Sequence, residues 1–132
     1  MNAADRTRVA LAFGFVFGAV SHVAWVMVHG DVWYRGPAPE WAPFFWYGLC
    51  LVDLVVCWLL LTRPKAGLAL GLATMTVSVG VNWTQFPTFE FMQFNYVLVG
   101  LTLFGVIYAC VMPWLWCASH WTLRASSQRS GD

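Results

Sequence analysis

Residues Phe44 to Leu61 read FFWYGLCLVDLVVCWLLL, an apolar run carrying one formal charge, Asp53. The length matters first. A helix rises 1.5 Å per residue, so about 20 residues cross a hydrocarbon core of about 30 Å. Lipid offers no partner to backbone N–H and C=O groups, so a run of this kind must close its hydrogen bonds within itself, as a helix. Three more runs have the same character: Val9 to Val28, Ala66 to Phe86 and Tyr96 to Leu115. The whole chain, 132 residues, is 60% hydrophobic and 10% charged, with a mean hydropathy of +0.65. Soluble domains carry about 25% charged residues. The sequence therefore predicts an all-α integral membrane protein, a four-transmembrane-helix bundle.

The expected helices cover about residues 9–29, 43–62, 66–86 and 95–116, in one membrane domain over 1–122. A polar tail, including SSQRSGD, follows over 123–132. Its composition predicts an unstructured cytoplasmic segment. The first run is longer than a signal-peptide core and no Ala-x-Ala-type site follows it, so it reads as a retained helix. The short TRPK connection, Thr62 to Lys65, requires the second and third helices to lie antiparallel and adjacent. Pro113 is expected to bend or end the fourth helix.

Orientation follows from the cations. Arg6, Arg8, Arg63, Lys65, Arg124 and Arg129 fall on one side of the predicted spans, and Arg35 alone on the other. By the positive-inside rule both termini are cytoplasmic (N-in/C-in), in a bacterial-type inner (plasma) membrane. Trp33, Trp41, Trp46 and Trp83 then mark an outer interfacial belt, and Trp58, Trp114, Trp116 and Trp121 an inner one. A net charge of +1 offers no basic surface for nucleic acid.

Helical phase selects the candidate site. At 100° per residue, Gly14, Gly18, His22, Trp25 and His29 share a sector of about 80° on the first helix. Gly67, Gly71, Thr74, Ser78, Asn82 and Gln85 share a sector of the same width, about 80°, on the third. Each stripe begins with Gly-x-x-x-Gly at the cytoplasmic end and turns polar toward the outside. Small residues let membrane helices approach closely. The expectation is that the first and third helices pinch together near the cytoplasm and splay outward into a wedge-shaped pocket. Homodimer packing or ordinary bundle packing explains the same glycines without a pocket.

A charge at the centre of a membrane helix costs about 2.5–3.5 kcal/mol even on insertion scales, so Asp53 should turn inward. Depth pairs it with His22, or with Ser78 or Asn82. An Asp–His pair is able to fix an imidazole tautomer or balance an imidazolium. His22 and Asp53 are accordingly the candidate catalytic residues. Trp25, His29, Trp46, Ser78, Asn82, Gln85 and Glu90 are the candidate ligand-binding residues. The competing structural reading treats the polar groups as glue between helices, with His29 and Glu90 simply wet.

Metal and redox chemistry lack their patterns. Cys50 and Cys57, like Cys110 and Cys117, are seven residues apart, and no Cys-x-x-Cys or zinc-ligand spacing occurs. Two haem ligands must approach from opposite faces, whereas His22 and His29 share one. No metal ligand is assigned and no cofactor is identified.

Three functions remain. The first is an outward-facing polar and aromatic pocket that binds an apolar or amphipathic small molecule, with scope for His/Asp acid–base chemistry. The second is a dimeric proton-coupled transporter. The third is a non-catalytic accessory subunit of a larger membrane complex. Membrane lipids are partners in all three.

Overall fold

The computed structural model describes the backbone of residues 1–29, 39–85 and 92–129, and within these the side chains of Trp25, Val26, His29, Pro43, Gln85, 92–95 and 120–129 lie outside the description. Four helices account for nearly all of it: α1 Ala3–His29, α2 Ala42–Thr62, α3 Pro64–Gln85 and α4 Met92–Arg129. Each is long and apolar enough to cross a membrane.

The helix ends show local chemistry at work. α1 begins earlier than hydropathy suggests because Asn2 caps it: the Asp5 N–H donates to Asn2 Oδ1 at 2.8 Å. Asp5 also lies in the first turn, where the helix dipole favours an anion, and pairs with Arg8. Between α2 and α3 only Arg63 leaves helical geometry. Its N–H donates to Leu59 O at 2.7 Å, and Pro64 opens α3 where its missing donor costs nothing. The predicted antiparallel pair follows.

α4 departs from expectation. It runs through Pro113 to Arg129, so the proline does not end it, and residues 123–129 extend the helix where an unstructured tail was expected. Proline removes one hydrogen bond from a helix, and neighbouring turns in an apolar span have no alternative conformation that satisfies the rest.

The helices form a ring: α1 packs along α2, α2 along α3 and α3 along α4, with a lighter seam between α4 and α1. α1 and α3 therefore sit on a diagonal, as do α2 and α4. This overturns the pinched α1–α3 pair. The four glycines behind that expectation each receive a group from a different helix. A Cβ on Gly67 would meet the α2 backbone at Leu60 N, and lie 2.7 Å from Leu59 C and Leu60 Cα. A Cβ on Gly14 would fall 2.5 Å from the Phe104 ring, and one on Gly71 would overlap the Tyr108 hydroxyl and come within 3.2 Å of Phe15. Gly18 receives Asp53. Only Gly67 admits backbone; the others are sockets for side chains.

Those sockets organise the half of the bundle that holds the chain termini and the α2–α3 turn, here the terminal end. Phe15, Phe104 and Tyr108 meet edge to face, with centroids 5.6 Å apart for Phe15–Phe104 and Phe15–Tyr108 and 6.3 Å for Phe104–Tyr108. Such pairs add about 0.5–1.5 kcal/mol each beyond the area they bury. Tyr108 is fully buried and its hydroxyl lies 3.2 Å from both Gly67 O and Leu68 O, to which it donates. Leu11, Ala12, Val56, Leu60, Leu68 and Leu115 complete a dry core around these rings. The opposite half, the loop end, is built differently.

Candidate functional site

Buried polar side chains run from the middle of the bundle toward the loop end. Asp53 on α2 and Thr74, Ser78 and Asn82 on α3 are buried there, and His22 on α1 is half-buried. Two close approaches fix the register. At the terminal end Gly67 lies on Leu60. Seven residues along each antiparallel helix from that crossing, Asp53 comes level with Thr74; one turn further Ser78 lies level with Cys50, and two turns further Asn82 with Trp46. Between α1 and α2, Asp53 Oδ2 lies 2.8 Å from where a Gly18 Cβ would stand, and Cys50 Sγ lies 3.7 Å from Ala19 O.

Asp53 thus sits midway along its helix, in the socket Gly18 leaves, with 7% of its surface exposed. The inward orientation expected of it holds. Its expected pairing with His22 does not: among the described residues neither side chain makes a hydrogen bond or ion pair, with the other or with anything else. The register gives the reason. Gly18 is opposite Asp53, and His22 is one turn, about 6 Å, nearer the loop end, level with Leu49.

Asn82 is buried and donates through Nδ2 to Ser78 O at 2.8 Å. Trp46 is buried at the same level. Trp83, expected in the outer interfacial belt, is half-exposed on α3. Its Nε1 donates to Thr102 Oγ1 at 3.1 Å and ties α3 to α4. The side chains of Trp25, His29 and Gln85, and the whole of Glu90, lie outside the described residues.

Thr74 belongs to this group although the sequence reading left it out of the site. The signal was its place in the Gly71–Ser78–Asn82 stripe. The hydroxyls of Thr7, Ser21, Thr62, Thr76, Thr84, Thr102 and Ser119 all donate to a carbonyl one turn back in their own helix. Those of Thr74 and Ser78 make no hydrogen bond within the described residues. Unpaired buried hydroxyls cost about 1–3 kcal/mol each, and an unpaired carboxylate more. The usual threonine back-bond would remove that cost, so its omission at two successive turns beside Asp53 marks this layer off from the rest of the bundle.

Among the described residues no three His, Cys, Asp or Glu side chains gather closely enough to hold a metal ion. Cys50 and Cys57 on α2 and Cys110 and Cys117 on α4 are all free thiols. The architecture is that of a four-helix bundle with membrane-span-like helices. Comparison with protein-family models, with curated proteins and with solved structures finds no match.

Proposed function

We propose that this is an integral membrane protein of the bacterial-type inner membrane, with both termini cytoplasmic, that binds an apolar or amphipathic small molecule in the outward-facing half of its bundle. The supporting observation is a run of buried polar groups from the middle of the bundle to its loop end, Asp53, Thr74, Ser78 and Asn82, with His22 beside them, whereas buried Ser119 at the terminal end donates to Trp116 O in its own helix. Intramembrane ionisable groups that lack a structural partner are functional sites by default. A mostly apolar enclosure with a few polar groups at one level is the usual make-up of a small-molecule site. In this reading Asp53 anchors the ligand's polar end, Ser78 and Asn82 orient it, and Trp46 lines the apolar part.

Native mass spectrometry of the protein released from lipid nanodiscs tests the proposal. Wild-type protein is expected to retain a small molecule that the Asp53→Asn variant loses. Identical spectra for the two proteins, both free of adducts in the presence of lipid extract, would contradict it.

A further inference from the structure

We infer that the polar end of the ligand is a primary ammonium group, held by the Asp53 carboxylate and by the Thr74 and Ser78 hydroxyl oxygens. The inference rests on the small-molecule reading above and specifies the chemistry of its site.

Among the described residues no cation pairs with Asp53, and His22, half-buried one turn away, makes no ion pair with it. The described basic residues Arg6, Arg8, Arg63 and Lys65 all belong to the terminal end, and Arg8 is already paired with Asp5. Arg63 lies ten residues from Asp53, about 15 Å along α2. Keeping an isolated carboxylate ionised away from water costs several kcal/mol, and a cationic occupant would supply the charge that offsets this cost. The neighbouring groups specify what kind of charge. Thr74 and Ser78 are 7% and 5% exposed and lie on one face of α3 one turn apart, and each hydroxyl oxygen carries lone pairs able to accept from a donor. One carboxylate and two hydroxyls offer acceptors to a group that is positively charged and rich in donors. A primary ammonium has three N–H donors and a full charge. A quaternary ammonium has the charge without donors, and an alcohol has one donor without the charge. Trp46 lies seven residues from Asp53 on the same face of α2, about 10 Å toward the loop end, where it flanks the apolar body of an amine anchored at Asp53.

The test uses a matched pair of probes, 2-phenylethylammonium chloride and 2-phenylethanol, in equilibrium dialysis against the full-length protein in nanodiscs. Charge-assisted hydrogen bonds are worth about 1.5–3 kcal/mol, so wild-type protein should bind the amine at least about tenfold more tightly than the alcohol. Asp53→Asn should erase the preference. Thr74→Val and Ser78→Ala should each lower amine affinity by a larger factor than alcohol affinity, which separates loss of an acceptor from loss of fold. Saturable binding of both probes with equal affinity would overturn the ammonium assignment and leave the small-molecule site standing. An amine preference that survives in Asp53→Asn would equally overturn it. Saturable binding of neither probe would overturn the assignment and count against the site itself.

Discussion

Replacing Gly71 by leucine is expected to cost about 3–5 kcal/mol of bundle stability, the range for deleting a large buried aromatic side chain. The Gly71 socket is already occupied: a Cβ there would overlap the Tyr108 hydroxyl and press on Phe15. A leucine must therefore evict Tyr108 from a fully buried position, break its hydrogen bonds to Gly67 O and Leu68 O, and open the three-ring cluster. Overpacking that side-chain movement can absorb costs about 1–3 kcal/mol, but Tyr108 has the α3 backbone on one side and Phe104 on the other. Gly80→Leu is the control, since nothing lies within 4 Å of its Cβ direction. Reversible unfolding in mixed micelles should show a large loss for Gly71→Leu and little change for Gly80→Leu. Equal effects would mean that the socket is not what holds the terminal end together.

The second large effect has the opposite sign. Asp53→Asn is expected to leave stability unchanged or to raise it by up to about 3 kcal/mol, since it removes a charge whose burial at a helix centre costs that order of energy. It should do so while abolishing ligand binding. If Asp53 were polar glue between helices, the same substitution would lose a bond and destabilise. The absence of any described partner for its carboxylate favours the first outcome. Groups placed for function commonly lower stability, and the sign of this change separates function from structure. The measurement is the unfolding midpoint of both proteins in the same micelles without added ligand.

The number of helices and the place of each apolar span were legible because lipid imposes one rule on backbone, and the four apolar runs obey it. The inward turn of Asp53 and of the Ser78–Asn82 stripe was legible for the same reason: charge and hydroxyl are costly against acyl chains. The glycine stripes misled in a specific way. Phase shows that Gly14, Gly18, Gly67 and Gly71 lie on two coherent faces, and says nothing about which helix answers each face. Adjacency in a four-helix ring depends on all the contacts together. Here the short turn at Arg63 committed α3 to α2, and the aromatic knobs Phe104 and Tyr108 reached into the glycines from α4. Those knobs carry no sequence signature beyond being aromatic. The Asp53–His22 pairing failed on one turn of register, a quantity set by the seating of Asp53 on Gly18 and invisible to periodicity. Asn2 as a helix cap was readable from its residue type and from Asp5 three positions on; hydropathy alone discards such polar leads.

Access to Asp53 from the outer side of the membrane, for an occupant held there, is what the proposed function requires. It is tested most directly by placing Cys at that position, Asp53→Cys, with Cys50, Cys57, Cys110 and Cys117 replaced by alanine. A charged methanethiosulfonate reagent is then applied to spheroplasts or to inverted vesicles. Modification is expected in spheroplasts and not in inverted vesicles. Modification from the inverted side alone, or from neither side while Glu40→Cys in the exposed segment before α2 reacts in spheroplasts, would contradict it.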